Sequence, residues 1–477
     1  MERILTAEQM RNADLYTIST LGVSEEILVE RAGTAVAEEI LKRFHGGRVL
    51  VCIGKGNNGA DGKVVTSILS KKHGFTVTTL SVYNGIFKLF DRKYDIIVDC
   101  IFGTGLNREV DGKYKEAIER INESGAFVVS CDIASGLSGD SGKVLGVAVK
   151  AKLTVAIQEL KTGHFLNDGP DYSGEIVAKD IGISVWEEKY CMRMTDVDAV
   201  KFFPNRNRNT HKGNYGKATV FGGSKNYPGS VYLALSSLLV LKSGAGYANL
   251  AIPNSMYEVY ALKNPECTIT TIKDDNGAVQ FDKIAIDRIT CYDSISIGMG
   301  IGVSEDVYRT IEYLLSNYHG KLVIDADGLN CISKYGINVL KNSACKVVLT
   351  PHVGEFSRLS GLTKEQILSN PIETAKSFAK EYGVVLLLKN AVSVITDGES
   401  VYLNVTGCSG MAKGGSGDVL SGFIAGVLCR SDEILEAVAS ACYVFGKAGE
   451  MAQKNDSAYT MIATDIIDNL GKVIAKL

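Results

Sequence analysis

Short apolar runs alternate with longer amphipathic stretches along the first part of the chain. The runs have the length and composition of buried strands, and the stretches between them have the period of helices. The predicted strands are 48–53, 76–82, 94–99 and 126–130, and the predicted helices are 25–44, 63–72 and 114–124, with a turn at 57–62. This alternation indicates βαβ units built around a parallel sheet.

The same alternation restarts after a polar segment. Residues 191–215 are rich in polar residues and turn formers, which predicts a linker. Beyond it, the predicted strands are 218–221, 294–297, 321–324, 346–349, 384–388 and 393–396, and the predicted helices are 230–243 and 419–428. A chain of 477 residues is too long for one ordinary core. We therefore predict an α/β protein with two domains, 1–205 and 206–477.

The composition narrows the classes of partner. A formal charge of -3 provides no attraction for nucleic acid or for an anionic membrane. The longest apolar run, 231–241, is interrupted by two serines and is too short to span a bilayer. The N-terminus shows no signal-peptide core, and the 11 cysteines include no CxxC pair and are expected to be buried free thiols. We expect a cytoplasmic protein with neither nucleic-acid nor membrane partners.

Polar clusters follow three of the predicted strands in the first domain, at 54–62, 99–109 and 132–136. Ligands of open parallel sheets collect at the carboxyl ends of the strands. The first cluster contains four glycines among nine residues, which allows close approach of a ligand, but its spacing is not that of the usual dinucleotide fingerprint. Oxygen atoms of Asn58, Asp99 and Ser135 can converge at this edge. The alternative is that each is a turn residue or a helix cap.

A glycine-rich stretch, residues 412–422, organises the second domain. Gly414, Gly415 and Gly417 precede Asp418, and consecutive backbone N–H groups at the start of a helix hold a phosphate or a developing oxyanion. Asp418 is then a candidate base or orienting group. The simpler alternative is a turn in which the aspartate caps the next helix.

Two further side chains of this domain are candidates. His352 lies between a predicted strand end and Glu355, and Lys389 ends an apolar strand where its ammonium group could reach nucleotide phosphates. The alternative for each is a solvated side chain.

Four motifs in the first domain carry a resemblance to a known family. They are GKGNNGADG at 54–62, DCIFGTGL at 99–106, DIASGLSGDSG at 132–142 and AKLTVAIQELKTGHF at 151–165. Together they resemble the NAD(P)H-hydrate epimerase domain over about residues 5–185, with a Rossmann-like three-layer fold. The resemblance implies a K⁺ ion held by Asn58, Asp99 and Ser135, proton transfer by Asp132 at C6 of the hydrated nicotinamide, and assistance from Lys161. The proline usual in the third motif is Ala134 here.

By the same resemblance, the hydrated dinucleotide contacts two segments and one aspartate. These residues are Asn57, Asn58, Gly59, Ala60 and Asp61, then Gly103, Thr104, Gly105, Leu106, Asn107, Arg108 and Glu109, and Asp132.

Six motifs in the second domain carry another resemblance. They are HKGNYGKATVFGGS at 211–224, YPGS at 227–230, LKSGAGYANLAIP at 241–253, DADGLN at 325–330, TPHVGEFSRL at 350–359 and GMAKGGSGDVLSG at 410–422. They resemble the ADP/ATP-dependent NAD(P)H-hydrate dehydratases, which have a ribokinase-like α/β fold. The resemblance implies that Asp418 deprotonates the C6 hydroxyl, that ADP or ATP phosphorylates it with Mg²⁺ present, and that phosphate is then eliminated.

This second resemblance also places two ligands. The hydrated dinucleotide would lie on Gly300, His352, Val353, Gly354, Glu355, Phe356, Ser357, Arg358 and Asp418. The adenine nucleotide would lie on Lys389, Asn390, Ala391, Val392, Ser393, Cys408, Ser409, Gly410, Met411, Ala412, Lys413, Gly414, Gly415, Ser416 and Gly417. Asn390 stands where the family usually has glycine.

The implied function is repair of hydrated NADH and NADPH, with epimerisation of the R and S hydrates feeding dehydration of the S hydrate. The preference between ADP and ATP, and between the NADH and NADPH hydrates, stays open at this point. Such fusions often assemble, and we expect a homo-oligomer. One alternative is a ribokinase-like kinase of a vitamin precursor. Another is a first domain that only binds and does not catalyse.

Overall fold

The protein is described by a computed structural model that covers residues 1–85, 87–186, 189–238 and 242–477. The chain forms two compact units, a first unit of Glu2–Cys191 and a second unit of Met192–Leu477 together with Met1. The predicted boundary between residues 205 and 206 lies further along the chain and stays a prediction. The segment 191–215 is not a plain linker, because it contains a strand, Cys191–Arg193, and a short helix, Asp196–Ala199.

The first unit has eight strands and five helices within the described residues. The strands are β1 (Glu2–Leu5), β2 (Gly47–Ile53), β3 (Phe75–Ser81), β4 (Ile96–Cys100), β5 (Phe127–Cys131), β6 (Leu153–Ile157), β7 (Leu160–Lys161) and β8 (Glu175–Lys179). The helices are α1 (Ala7–Ser19), α2 (Glu25–Arg43), α3 (Asn57–Ser70), α4 (Gly112–Glu123) and α5 (Gly169–Ser173). Six strands form an all-parallel sheet in the order β3-β2-β4-β5-β6-β8.

The order of this sheet places a crevice at one edge. After β2 the chain adds β3 on one side and then returns to add β4 on the other side. The connections that leave β2 and β4 therefore diverge to opposite faces, and a gap opens at their carboxyl ends. This is the position in which such sheets bind ligands.

Alternate residues of the central strand enter two different cores. Val49, Val51 and Ile53 pack with apolar residues of α1, α2 and α3 on one face. Leu50 and Cys52 pack with residues of α4 on the other face. A strand whose neighbouring residues are buried on both faces is expected for a parallel sheet covered by helices. The predicted three-layer, Rossmann-like architecture is confirmed.

The predicted turn at 57–62 is wrong, because α3 begins at Asn57 directly after its N-cap, Gly56. Glycines allow this early start. A Cβ atom on Gly59 would lie 2.1 Å from the carbonyl oxygen of Gly54, and one on Gly62 would lie 2.7 Å from a methyl carbon of Ile53. Only glycine permits so close an approach of the helix to the strand. The helix N-terminus therefore lies at the carboxyl end of β2.

From Cys191 onward the described residues contain twelve strands and twelve helices. The strands are β9 (Cys191–Arg193), β10 (Lys217–Phe221), β11 (Tyr247–Pro253), β12 (Thr268–Ile272), β13 (Asp274–Asp275), β14 (Ala278–Val279), β15 (Ser294–Ile297), β16 (Lys321–Ile324), β17 (Lys346–Leu349), β18 (Val385–Leu388), β19 (Ser393–Thr396) and β20 (Val401–Asn404). The helices are α6 (Asp196–Ala199), α7 (Pro228–Leu238), α8 (Tyr257–Lys263), α9 (Lys283–Ile289), α10 (Glu305–Asn317), α11 (Asp327–Tyr335), α12 (Val353–Ser360), α13 (Lys364–Ser369), α14 (Pro371–Tyr382), α15 (Ser416–Leu428), α16 (Ile434–Asn455) and α17 (Ala463–Ile474).

Nine of these strands form the sheet of the second unit, in the order β12-β11-β10-β15-β16-β17-β18-β19-β20. The strands from β12 to β18 are parallel, and β19 and β20 are antiparallel additions at one side. From β10 the chain adds β11 and β12 on one side, and it then returns to add β15 and the later strands on the other side of β10. The last part of the predicted helix 230–243, at residues 239–241, lies outside the described residues.

Helix α15 is buried almost along its whole length. Val419, Phe423 and Ile424 are among its fully buried side chains and pack into the same core as residues of α16, α17 and the central strands. Its N-cap is Gly415, whose φ of 92° is a left-handed conformation that favours glycine. A rigid helix therefore fixes the position of its first turn. Among the described residues, no helix has the length and apolar character needed to cross a membrane.

Candidate active sites

A cavity of about 620 Å³ opens at the carboxyl edge of the first unit's sheet. It lies where the order of that sheet predicts a crevice, beside the ends of β2 and β4. The sequence-predicted residues that line it are Asn57, Asn58, Asp61, Gly103, Thr104, Gly105, Leu106, Asn107, Arg108, Asp132 and Lys161. Gly59, Ala60 and Glu109 lie outside this lining. Gly59 is used instead for the close packing of α3 against Gly54.

The cavity also has lining residues that the motifs did not indicate. Arg11 and Asp14 come from α1, Glu25 and Leu28 come from α2, and Tyr114 comes from α4. These helices contain no glycine-rich or strand-end signal. These residues could have been found only from the predicted fold, because helices that cover a sheet face also line the crevice at its edge.

Asp132 follows β5 directly and has a φ of 66°, a conformation that costs free energy for a residue other than glycine. Its backbone N–H donates to the carbonyl oxygen of Val155 at 2.8 Å. Its carboxylate accepts the backbone N–H of Ile157 at 3.0 Å and also accepts the ammonium group of Lys161. The carboxylate is therefore held in one orientation beside the cavity.

Lys161 is almost completely buried, with 1% of its side chain exposed, whereas 18% of Asp132 is exposed. The lysine donates a second hydrogen bond, of 2.6 Å, to the carbonyl oxygen of Ile157. Nδ1 of His164 accepts the backbone N–H of Lys161 at 3.1 Å, so Nε2 carries the proton and faces the carbonyl oxygen of Asp132 at 2.9 Å. This network fixes both members of the pair and leaves the carboxylate as the accessible one.

Asn58, Asp99 and Ser135 meet around the backbone of Phe102. The amide nitrogen of Asn58 donates to the carbonyl oxygens of Phe102 at 2.8 Å and Cys131 at 3.0 Å. The hydroxyl of Ser135 lies 2.6 Å from a carboxylate oxygen of Asp99 and accepts the N–H of Phe102 at 2.8 Å. The structure therefore brings together the three residues predicted to hold a cation.

Two features of this cluster are electrostatic. Asp99 is fully buried, and its burial raises the pKa of its carboxyl group, although hydrogen bonds from Ser135 and Ser130 oppose the rise. The side-chain oxygen of Asn58 is buried and has no hydrogen-bond partner among the described residues. A buried amide oxygen without a donor is costly unless a cation or a donor occupies the space next to it.

Asp61, one helical turn after Asn57, also faces this cavity. It is buried, and burial together with the nearby Asp132 carboxylate raises its pKa to about 8. The thiol of Cys131 donates a weak hydrogen bond to it, at a distance of 3.7 Å. Two carboxyl groups thus share one cavity, and of the two Asp132 is the one paired with a lysine.

In the second unit, Asp418 lies in the first turn of α15. Burial and the neighbouring Asp325 raise the pKa of Asp418 to about 6, although a hydrogen bond from Ser230 and the charge of Lys389 oppose the rise. The free N–H groups of the first helical turn and the glycines before it lie beside this carboxylate. The arrangement suits a base next to an anion-binding backbone.

Lys389 forms an ion pair of 2.8 Å with Asp325, which follows β16 and is almost fully buried. Burial opposes the charge on the lysine, but the carboxylates of Asp325 and Glu355 raise the pKa of Lys389. The hydroxyl of Ser421 on α15 donates to the other oxygen of Asp325. A Cβ atom on Gly417 would lie 3.3 Å from the ammonium nitrogen, so the lysine lies against the glycine-rich stretch.

Asp325, Ser421 and Ser230 were not predicted as site residues. Asp325 had a signal in the sequence, because it is a carboxylate immediately after the apolar run 321–324. The two serines lie within the motifs at 227–230 and 410–422, but nothing in the motifs predicted a role for them. Only the packing of α7 and α15 brings their hydroxyls to the carboxylates.

His352 is the N-cap of α12 and forms a capping box with Glu355. Its Nδ1 accepts the backbone N–H of Gly354 at 3.0 Å, and the Glu355 carboxylate accepts the N–H of His352 at 2.9 Å. The strand-like backbone of His352 also pairs with Lys389. The histidine therefore orients the start of α12 at the same sheet edge.

The remaining predicted residues of this unit are placed in three ways. Gly300, with a φ of 62°, packs against Tyr227 in the turn after β15. Arg358 donates to the side-chain oxygen of Asn330 on α11 at 2.9 Å. The segment Ser409–Met411 is a short 3-10 helix. Residues 390–392 form the turn before β19, which begins at Ser393.

The side chain of Lys413, a predicted nucleotide-binding residue, is used for a contact within the protein. The ammonium group of Lys413 donates to the carbonyl oxygens of Tyr459 at 2.7 Å and Met461 at 2.5 Å. It anchors the glycine-rich stretch to the segment before α17. Any contribution of this residue to nucleotide binding would come from its backbone.

Two family models match the chain. The model of the NAD(P)H-hydrate dehydratase family matches residues 218–472, and the model of the YjeF-related protein N-terminus matches residues 25–88 and 82–163. The chain is 32% identical to the bifunctional NAD(P)H-hydrate repair enzyme Nnr of Thermofilum pendens, over 100% of this chain and 97% of that protein. It is 34% identical to the enzyme of the same name from Archaeoglobus fulgidus, over 98% and 99%. The chain belongs to the family of bifunctional NAD(P)H-hydrate repair enzymes.

Solved structures resemble the dehydratase half of this repair-enzyme chain. The crystal structure of the ADP/ATP-dependent NAD(P)H-hydrate dehydratase from Bacillus subtilis, co-crystallised with ATP/Mg²⁺, is 28% identical with a TM-score of 0.52 and covers 60% of this chain and 98% of its own. A ribokinase-like superfamily protein from Enterococcus faecalis has the same TM-score of 0.52 at 24% identity, covering 60% of this chain and 96% of its own, and shows the fold alone. The expected ribokinase-like fold of the repair enzyme is confirmed.

Proposed function

We propose that this chain repairs hydrated NADH and NADPH in two steps. The first unit interconverts the R and S hydrates, and the second unit dehydrates the S hydrate at the expense of ADP or ATP. The observation that carries the proposal is the position of Asp418, a carboxylate with a pKa raised to about 6, beside Lys389 at the amino end of α15. A base next to a phosphate-binding helix end is what phosphorylation of a ring hydroxyl requires.

In the dehydration, Asp418 accepts the proton of the C6 hydroxyl while the hydroxyl oxygen attacks the terminal phosphorus of the nucleotide. Lys389 and the backbone N–H groups of Gly415–Gly417 balance the charge on the transferred phosphoryl group. The phosphate then leaves C6 with the bonding electrons, and loss of a proton from C5 restores the ring double bond. The ring is neither oxidised nor reduced overall in these steps.

Mg²⁺ fits this site as an ion held mainly by nucleotide phosphates and water. The described residues contain no cluster of three or more His, Cys, Asp or Glu side chains that could cage a metal. Magnesium in phosphoryl-transfer sites usually takes few protein ligands and keeps several waters. When bound, the ion supplies charge for the phosphate oxygens. Asp325 is already occupied by Lys389 and Ser421.

In the epimerisation, Asp132 is the proton-transfer residue that acts at C6 of the hydrate. Lys161 and the N–H of Ile157 hold its carboxylate beside the cavity. The glycines and amides of residues 103–108 line the same cavity and bind the rest of the dinucleotide. A fixed carboxylate with one accessible side is suited to a proton transfer at a single ring position.

The residues around Phe102 fit a K⁺ ion. The unsatisfied amide oxygen of Asn58, the carboxylate of Asp99 and the hydroxyl of Ser135 would hold it. The ion would neutralise the buried carboxylate and order the loop that follows β4. It takes no part in breaking or forming bonds.

The test uses the full chain and a prepared mixture of the R and S hydrates of NADH. With ADP or ATP and Mg²⁺, recovery of the absorbance of the reduced nicotinamide should pass the amount of S hydrate present and approach the total. Recovery that stops at the amount of S hydrate would contradict the proposed epimerase activity. No recovery with either nucleotide would contradict the proposed dehydratase activity. The ratio of the rates measured with ADP and with ATP gives the preferred nucleotide.

We also propose that the chain is cytoplasmic and that it forms a homo-oligomer. All eleven cysteines are free thiols, which suits the reducing conditions of the cytoplasm. Assembly into a homo-oligomer is to be measured by light scattering of the purified chain, and a monomer mass would exclude it.

A further inference from the structure

Epimerisation at C6 moves a hydroxyl from one face of the ring to the other. If the C6–O bond breaks, the departing oxygen needs a proton, and the water that replaces it on the opposite face must lose one. Because the two oxygens lie on opposite faces of the ring, a carboxylate held in one orientation on one side cannot serve both. Asp132 is paired with Lys161 and is suited to accept a proton. The proton donor is therefore a second group in the same cavity.

Asp61 has the geometry of that group. It projects from α3 into the cavity that Asp132 and Lys161 line. One of its oxygens accepts the thiol of Cys131 at 3.7 Å, which is a weak contact, and no lysine or arginine within the described residues forms an ion pair with it. An aspartate that is buried without a cation is kept as the neutral acid.

The surroundings of Asp61 support the neutral form. The charged groups that line the cavity with it are Arg11 and Asp14 on α1, Glu25 on α2, Lys55, Arg108, Asp132 and Lys161, and the thiols of Cys100 and Cys131 are also near. Burial is the largest cause of its raised pKa of about 8, and Asp132 and Asp14 add to it. Lys161 is engaged by Asp132, and within the described residues none of Arg11, Lys55 and Arg108 forms an ion pair with Asp61. A carboxyl group with a raised pKa beside a carboxylate that is held by a lysine is an arrangement that suits an acid and base pair.

We propose that Asp61 is the proton donor to the departing C6 hydroxyl and that Asp132 accepts the proton of the incoming water. This proposal rests on the epimerase activity proposed above. The C6–O bond breaks as Asp61 gives its proton to the oxygen, water leaves, and the lone pair of the ring nitrogen forms the C6–N double bond. A water adds to the other face and gives its proton to Asp132. Asp132 then releases its proton to solvent and Asp61 regains one, which restores both groups. In the reverse direction, protonated Asp132 gives its proton to the departing oxygen and Asp61 accepts one from the incoming water.

Isotope exchange tests the bond that breaks. The full chain is given the purified R hydrate in water enriched in ¹⁸O, without nucleotide, and the product is analysed by mass after a single turnover. We expect one solvent oxygen at C6 for each molecule epimerised. An S hydrate that keeps its original oxygen would overturn the proposal, because it would mean that the C6–N bond opens instead.

Asp61→Asn tests the donor. The amide keeps the shape but has no acidic proton, so we expect kcat for epimerisation to fall about 100-fold or more, with KM for the hydrate changed less than about threefold. The wild-type profile of kcat/KM should also fall with pH above about 8, as Asp61 loses its proton. An unchanged kcat in the variant, or a wild-type rate that stays level above that pH, would overturn the proposal.

Two controls separate this proposal from others. Asp95→Asn removes a carboxylate at the amino end of β4, where it accepts the N–H of Arg48, and should leave the epimerisation rate unchanged. Dehydration of the S hydrate by each preparation reports that the second unit is intact. If the wild-type chain does not epimerise the hydrate at all, the proposed epimerase function is wrong. If Asp61→Asn epimerises it at the full rate, only the role of Asp61 is wrong.

Discussion

Each unit carries a lysine–aspartate ion pair at the carboxyl edge of its sheet, and the two pairs face in opposite senses. In the first unit Lys161 is 1% exposed and its partner Asp132 is 18% exposed. In the second unit Lys389 is 20% exposed and its partner Asp325 is 2% exposed. The first site therefore presents a carboxylate to its cavity, and the second presents an ammonium group to the glycine-rich stretch.

This difference matches the two chemistries. Moving a hydroxyl between ring faces needs proton donors and acceptors, and a carboxylate held by a buried lysine is such an acceptor. Phosphoryl transfer needs positive charge and backbone N–H groups around the phosphate, and a lysine held by a buried aspartate supplies that charge. Similar sheets thus obtain different reactions by exchanging which member of the pair is accessible.

The same contrast extends to the carboxyl groups on the two helices that begin at these edges. Asp61 on α3 has a pKa raised to about 8, and Asp418 on α15 has one raised to about 6. Lys389 lies near Asp418 and lowers its pKa, whereas the lysine of the first unit is engaged by Asp132. The nearby cation keeps Asp418 available as a base. Within the described residues Asp61 forms no ion pair, which keeps that group an acid.

The largest expected effect comes from Asp418→Asn. Without the carboxylate the hydroxyl cannot be deprotonated, so we expect dehydration to fall about 1,000-fold while nucleotide binding and epimerisation continue. Glu399→Gln, which removes one member of an exposed pair with Lys380, is the matched control in the same unit. Turnover of Asp418→Asn within a few fold of the control would contradict the assigned role.

The wild-type rate of dehydration should also follow the protonation of Asp418. Because the base must be ionised, kcat/KM should rise with pH through about 6 and then level off. The folded pKa is raised above the unfolded value, so the folded state binds more protons and its stability falls as pH rises from about 4 to about 6. Asp418→Asn removes this loss, and its Tm at neutral pH should equal or exceed that of the wild type.

Lys161→Met tests the pair of the first unit from the buried side. We expect epimerisation to fall about 100-fold, because Asp132 loses the partner that orients its carboxylate. Dehydration of pure S hydrate should be unchanged. Lys143→Met, an exposed change in the same unit, is the control, and the Tm of both variants reports folding. A normal epimerisation rate in a folded Lys161→Met chain would show that the pair is structural.

Lys389→Met tests the other pair and should have a smaller effect. The helix end and the glycines remain, so we expect the KM for the nucleotide to rise about tenfold and epimerisation to be unaffected. Lys380→Met, at an exposed site, provides the comparison. If nucleotide KM is unchanged, the accessible ammonium group of the second unit does not serve the phosphate, and the contrast between the two pairs fails.

The smallest effect is expected for Asn58→Ala. It removes the unsatisfied amide oxygen beside Asp99, so the concentration of K⁺ that gives half-maximal epimerisation should rise about tenfold, while the rate at saturating K⁺ changes little. Titrations with KCl and NaCl at constant ionic strength measure this. Equal responses of the wild type to the two salts would argue against a potassium site.

Most strands were predictable from short apolar runs. The predicted limits of β15, β16, β17 and β19 coincide with those of the structure, since each is a buried run bounded by polar or glycine residues. The start of α3 was not predictable in this way. Propensity makes 57–62 a turn, and only the packing of its glycines on the neighbouring strand makes it helical.

The candidate sites were predicted to a similar extent. Strand ends, the glycine-rich stretch and the family resemblance together led to Asp132, Lys161, Lys389 and Asp418. They assigned no role to Asp325 and did not indicate the walls from α1 and α2. The role of His352 as a helix cap was also missed, because a capping box resembles a polar cluster until the helix axis is known.

The sequence by itself determined the α/β class, the two successive sheets and the strand ends where polar residues collect, because hydrophobic periodicity and glycine placement are local properties of the chain. The tertiary structure alone decided which member of each ion pair is accessible and how far each carboxyl group is desolvated. Those properties depend on the order of strands in the sheet and on the helices that cover it, and they join residues as distant along the chain as Asp325 and Ser421.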